Sequence, residues 1–126
     1  MQRLWTPWRM EYLVRDKVGN CVFCQKLRET NDRDNLILYR SQSACVLMNL
    51  YPYNTGHVMI IPRDHVPNLE DLSEETCMEL TYLIRESLRI LRQVLHPDGF
   101  NVGANIGKSA GAGIEEHVHV HVVPRW

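Results

Sequence analysis

Short apolar runs at residues 36–40, 44–50 and 57–62 are separated by Ser41-Gln42-Ser43 and by Tyr51-Pro52-Tyr53-Asn54-Thr55-Gly56. They predict three strands, and connections this short favour antiparallel hairpins, because a parallel crossover needs a dozen or more residues. After Arg63-Asp64-His65-Val66-Pro67 the period changes. Leu80, Ile84, Leu88, Leu91 and Leu95 recur at helical spacing, with Arg85, Arg89 and Arg92 on the wetter side. Asp71 or Ser73 can cap this long helix, Glu74 and Glu75 suit its positive end, and His96-Pro97-Asp98-Gly99 stops it. Strand alternation returns at residues 100–105, with Phe100, Val102 and Ala104 on one face and Asn101, Gly103 and Asn105 on the other. It returns again in the last ten residues, where His117, His119 and His121 alternate with valines. With one or two helical turns after Cys24, the expectation is an α+β fold with one antiparallel sheet, a short N-terminal helix and one long helix.

At 126 residues the chain is expected to form one domain, residues 1–126. Lys and Arg number 14 against 15 Asp and Glu, so nothing favours nonspecific nucleic-acid binding, and an anionic ligand must be held by local donors. No apolar run approaches the roughly 20 residues that span a bilayer, and the start has no signal-peptide core. A cytoplasmic protein without a membrane partner is expected. Trp5, Trp8 and Tyr12 read as a docked N-terminal arm. Cys45 and Cys77 read as inert core thiols, while Cys21-Val22-Phe23-Cys24 is a C-x-x-C pair, a metal clip or redox pair in a reducing compartment.

Three histidines at period two share one surface, each roughly 7 Å from the next at about 3.3 Å of rise per residue. One metal ion cannot easily hold all three, so they must divide labour. Zinc favours four Cys and His ligands; C-x-x-C offers two, His65 is the best candidate outside the triplet, and one end of the histidine strand could add the fourth. Two imidazoles then remain, facing the Gly-rich Ile106-Gly107-Lys108-Ser109-Ala110-Gly111-Ala112-Gly113-Ile114. Backbone N–H groups of such a loop hold anions without net positive charge, and Lys108 and Ser109 add donors. A nucleophilic imidazole beside a phosphate site, with a second imidazole binding oxygen or protonating the leaving group, is the chemistry this suggests. Asn49 inside an apolar run is either turn chemistry or a ligand contact, and His57 reads as structural.

The segment His117-Val118-His119-Val120-His121-Val122-Val123 resembles the motif of the histidine triad (HIT) superfamily of nucleotide hydrolases and transferases. Asn49 to His57, Ile61-Pro62-Arg63-Asp64-His65 and Gly99 to His121 extend the resemblance to nearly all of the chain. Leu4-Trp5-Thr6-Pro7-Trp8-Arg9 and Pro124-Arg125-Trp126 are most similar to the bacterial branch that includes diadenosine tetraphosphate phosphorylases. The resemblance implies a five-stranded antiparallel sheet, commonly in a homodimer. It implies His119 as the nucleophile that forms a nucleotidyl-histidine intermediate, and His121 as a binder of phosphate oxygens. It implies zinc on Cys21, Cys24, His65 and His117, ribose on Asn49, and adenine among Val22, Phe23, Leu47 and Leu50. Asn105 and the backbone at Gly111 to Gly113 would meet phosphate.

Gly113 stands where many relatives have a serine, which removes one hydroxyl contact, and relatives continue past Trp126 with a segment that shapes substrate preference. The expected activity is cleavage of diadenosine tetraphosphate or a related nucleoside phosphoanhydride, with phosphate or water as acceptor. The alternatives are a purine nucleoside phosphoramidase and, from another class, a nucleotide-binding or zinc-stabilised interaction module.

Overall fold

A computed structural model describes residues 20–49 and 55–126. The aromatic arm at residues 1–19 and the expected adenine contact Leu50 lie outside the described residues. Helix α1 (Val22–Arg28) is followed by strands β1 (Ile37–Arg40), β2 (Ala44–Met48) and β3 (Val58–Pro62). Helix α2 (Glu74–Leu95), β4 (Gly99–Gly103) and β5 (Val120–Arg125) complete the order. The strands form one antiparallel five-stranded sheet, as expected, and their order is β1-β2-β3-β5-β4. No helix of the described residues is long and apolar enough to cross a membrane.

Most strand boundaries shift by one to three residues, β2 ending at Met48, β3 starting at Val58 and β4 spanning Gly99–Gly103, and two of the shifts have clear local reasons. Leu36 takes φ +61°, a left-handed conformation that pleated strands exclude, so β1 starts one residue later. The terminal strand pairs only from Val120, so His117 and His119 approach the sheet ahead of the ladder. They are anchored instead by the Val118 N–H, which donates to the Val66 carbonyl at 2.8 Å.

The sheet separates two apolar clusters. On one face α2 packs over Ala44, Val46, Val58, Ile60, Val118 and Val122. Its buried line is Thr76, Leu80, Leu83 and Ser87, while Ile84, Leu88 and Leu91 pack at the flank, so the helix is rotated from the predicted stripe toward its smaller residues. Ser73 caps it by accepting from the Thr76 N–H, and His96 ends it in the left-handed conformation, φ 51°. The Glu79 carboxylate accepts from the Ser41 hydroxyl and the Ser43 N–H, pinning α2 to the β1–β2 turn.

On the other face α1 packs Phe23 and the two clip cysteines over Ile37, Cys45, Leu47 and Ile61. Strand alternation forces this split: even-numbered residues of β2 face α2 and odd-numbered ones face α1. Cys45 is fully buried, and burial pushes its thiol up to about 11, in keeping with an inert core residue.

Candidate active site

Helix α1 begins directly after Cys21 and carries Cys24 in its first turn, so both thiols lie at its N-terminal end. Its C-terminal end is held by Arg40, whose guanidinium donates to the Leu27 carbonyl at 2.9 Å, the Glu29 carbonyl at 2.7 Å and the Asp32 carboxylate. A cation on carbonyls that the last turn leaves unpaired fixes the helix, and with it the cysteine pair, against the sheet.

Cys21, Cys24, His65 and His117 place one ligand atom each within 4.8 Å of one another. The Nδ1 of His117 is 3.4 Å from the Cys21 Sγ and 3.6 Å from the Cys24 Sγ, and the His65 Nδ1 is 3.3 Å from the Cys24 Sγ. A tetrahedral ion with typical zinc bond lengths separates S and N ligands by about 3.6 Å, so the donor set has the size of such a site. The His117 Nε2 lies 2.8 Å from the Pro62 carbonyl. A carbonyl only accepts, so the proton sits on Nε2 and the Nδ1 lone pair faces the thiols. Burial pushes the Cys21 thiol up to about 12, with the neighbouring Cys24 charge adding to it. Two thiolates here need a cation to offset that cost.

His119 also has its tautomer set by a carbonyl, with the opposite nitrogen engaged. Its Nδ1 lies 3.0 Å from the His117 carbonyl, so the Nδ1 proton is committed and the Nε2 lone pair is left over. Among the described residues no hydrogen bond reaches that Nε2. Phe23 packs edge-on against both rings, its centroid 4.9 Å from that of His119 and 5.4 Å from that of His117. His119 is only 7 % exposed, and burial lowers its pKa, so the ring is an uncharged base at neutral pH. A buried nitrogen left unpaired is rare away from a functional site.

His121, the first histidine within β5, has its ring centroid 4.9 Å from that of His119, closer than the roughly 7 Å repeat of a straight strand. Its Nδ1 is 2.8 Å from the Nε2 of His57. Burial first, then the neighbouring His119 and His57, hold His121 down to about 4. Sequence reasoning read His57 as structural. The signal that could have found it is the odd-numbered row 57, 59, 61 on β3, because Met59 pairs with His121 and puts that row beside the triad.

The other expected contacts fall around these rings. Gly103, the last residue of β4, pairs with His121, so the loop leaves the sheet beside one histidine and returns at His117. Gly107 and Gly111 take φ +86° and +90°, conformations that favour glycine, and the Asn105 amide lies beside Gly111. Asn105, Lys108, Ser109, Gly111 and Gly113 are exposed. Val22 is 40 % exposed, while Phe23 and Leu47 are buried beneath it at 2 % and 1 %. The Asn49 N–H donates to the His57 carbonyl at 3.0 Å, placing Asn49 at the same end of the sheet. A groove of about 430 Å³ lies on the opposite face, between β1 and α2; its lining of Leu38, Tyr39, Tyr82 and Ile90 offers apolar surface and none of the histidines.

A family model described as the HIT domain matches residues 30–126. The chain is 42 % identical over 134 aligned positions to the AP-4-A phosphorylase of Mycobacterium tuberculosis, covering all of this chain and 69 % of that protein. It is 34 % identical over 89 residues to the asymmetrical bis(5'-nucleosyl)-tetraphosphatase of Schizosaccharomyces pombe, covering 71 % of this chain and 48 % of that one. A Zn-bound histidine triad family protein from Mycobacterium smegmatis superposes with TM-score 0.72 at 29 % identity, covering 86 % of this chain and 77 % of that structure. The matched residues contain the whole arrangement of His57, His65, His117, His119 and His121, and on that footing the chain belongs to the HIT domain family.

Proposed function

We propose that this protein is an enzyme that cleaves a nucleoside phosphoanhydride, with diadenosine tetraphosphate as the preferred substrate, by passing a nucleotidyl group through His119 to phosphate or water. The observation that carries the reading is the bond from the His119 Nδ1 to the His117 carbonyl, which leaves Nε2 as an uncharged nucleophile.

In the first step the Nε2 lone pair bonds to the α-phosphorus, the phosphorus–oxygen bond to the remaining phosphates breaks, and that oxygen leaves with a proton from His121 or as an anion hydrogen-bonded to it. In the second step phosphate or water gives its oxygen to phosphorus and the nitrogen–phosphorus bond breaks, which returns His119. Charge on the equatorial oxygens is met by backbone N–H groups of residues 107–113 and by Asn105, donors fixed in place before the reaction. In this reading Asn49 takes the ribose hydroxyls. Val22 and Leu50 touch the base, while Phe23 and Leu47 shape that wall from below.

The Cys21, Cys24, His65 and His117 cluster is assigned to zinc, supported by its size, its tautomer and the Zn-bound relative. The ion would supply structural cross-linking between α1, the β3 end and the triad. The two free thiols of the clip suit a reducing cytoplasm. A homodimer is part of the proposal, supported by the exposed apolar row Met78, Tyr82, Ile90 and Val94 on α2.

Incubation with diadenosine tetraphosphate, with and without phosphate, tests the reading. ATP plus ADP formed only with phosphate defines a phosphorylase, and AMP plus ATP in water defines a hydrolase. Faster release of AMP from an adenosine phosphoramidate would make it a phosphoramidase, and binding without any turnover would reduce it to a nucleotide-binding module. His119→Ala should lose turnover by at least about 10³-fold with its fold intact.

A further inference from the structure

The β4–β5 ladder pairs Gly103 with His121, Asn101 with Val123 and Gly99 with Arg125. Cross-strand partners share a face, and so do residues 121, 123 and 125 along β5. The histidine face therefore continues past His121 to Asn101 and Arg125. Helix α1 roofs the β1–β3 half of this face, through Phe23 and the clip cysteines over Cys45, Leu47 and Ile61. Among the described residues the β4–β5 half is uncovered at Gly103, directly beside His121, where an added Cβ meets nothing within 4 Å.

At the end of this strip the Arg125 Nε donates to the Asn101 Oδ1 at 2.6 Å, which orients the guanidinium across two strands. Among the described residues Arg125 has no ion pair. Its charge nevertheless bears on the site: after burial, it is the next cause of the lowered pKa of His57, the residue bonded to His121. Arg125 is four residues from His121, about 13 Å along the strand at roughly 3.3 Å per residue. That is too far for it to serve the phosphorus facing His119, and within the span of a phosphate chain extended along this strip. The protein's net charge of −1 supplies no general attraction for a polyanion, so a fixed guanidinium on this face, without an ion pair among the described residues, is a specific device.

We propose that Arg125, oriented by Asn101, binds the phosphates beyond the scissile bond and sets the preference for a long phosphate chain over a short one. The assignment rests on His119 as the site of the attacked phosphate. Calorimetric titration of the full chain and of Arg125→Gln, Arg125→Lys and Asn101→Ala with AMP and with ATP tests it. Arg125→Gln should lower the affinity for ATP relative to AMP about tenfold, the scale of a lost charged hydrogen bond. Arg125→Lys, which keeps the charge and loses the fork, should fall between, and Asn101→Ala should lower the ratio by less than Arg125→Gln. An unchanged ratio in Arg125→Gln, or equal losses for AMP and ATP, overturns the proposal, the second because it marks a structural residue. A wild-type protein that binds both nucleotides but turns over no substrate would remove the nucleophile reading while leaving this ratio measurable, so the two failures are separable.

Discussion

The Nε2 of His57 and the Nδ1 of His121 lie 2.8 Å apart, joining β3 to β5 through two imidazoles. Burial lowers the pKa of both, so at neutral pH the bond holds a single proton. With His57 as donor, His121 carries its own proton on Nε2, the form that can donate to a phosphate oxygen. His57→Ala removes this selection and frees the ring to rotate. The expected result is a fall in kcat of about ten- to a hundredfold with KM changed much less. His57→Gln, whose side-chain amide can donate from a similar position, should recover part of it. Equal turnover in His57→Ala and the unmutated protein removes His57 from the site.

The same rings make stability depend on pH. His121 titrates near its ordinary 6.5 when unfolded and at about 4 when folded, so the unfolded chain binds the extra proton first. A depressed histidine therefore contributes stability that is fully present above about 6.5 and is lost as pH falls toward about 4. Urea denaturation of the unmutated protein and of His121→Gln at several values across that window is the check. The unmutated protein should lose more stability on acidification, and parallel curves would contradict the assignment.

For the metal cluster, Cys21→Ser should abolish stoichiometric zinc, read by elemental analysis. It should also lower the melting midpoint by roughly 10 °C, on the order of 3 kcal/mol. A chelator should shift the unmutated protein in the same direction and leave Cys21→Ser unmoved. Full zinc content in the variant ends the four-ligand assignment.

Gly56 precedes His57 at φ +78°, and a Cβ there would sit 2.5 Å from the Leu95 Cδ1 and 3.1 Å from the Pro124 Cγ. Gly56→Ala thus combines backbone strain with a clash at the meeting of α2 and β5, and should cost about 1–3 kcal/mol in denaturant midpoint. Adding Leu95→Ala should remove the shorter contact and leave the φ cost and the Pro124 contact, so Gly56→Ala should prove less damaging in that background.

Element types were legible in the residues, because the apolar run at 44–48, buried on both faces, the alternation entering β5 and the 3.6 period of α2 follow from which faces must be apolar. A division of the triad was expected because imidazoles spaced along extended backbone cannot all reach one ion, and of the three only His117 lies in the cluster with Cys21, Cys24 and His65. Sequence could not show that His117 and His119 precede the ladder, because the donor that holds them there belongs to Val118 and its acceptor to Val66, 52 positions away by numbering. Nor could it show the tautomers, which are set by the Pro62 and His117 carbonyls, or the partnership of His57 with His121, 64 positions away by numbering, which depends on β3 pairing with β5. Local pattern determines what each segment can become. Which nitrogen keeps its lone pair is decided by groups that only the folded chain brings within hydrogen-bonding distance.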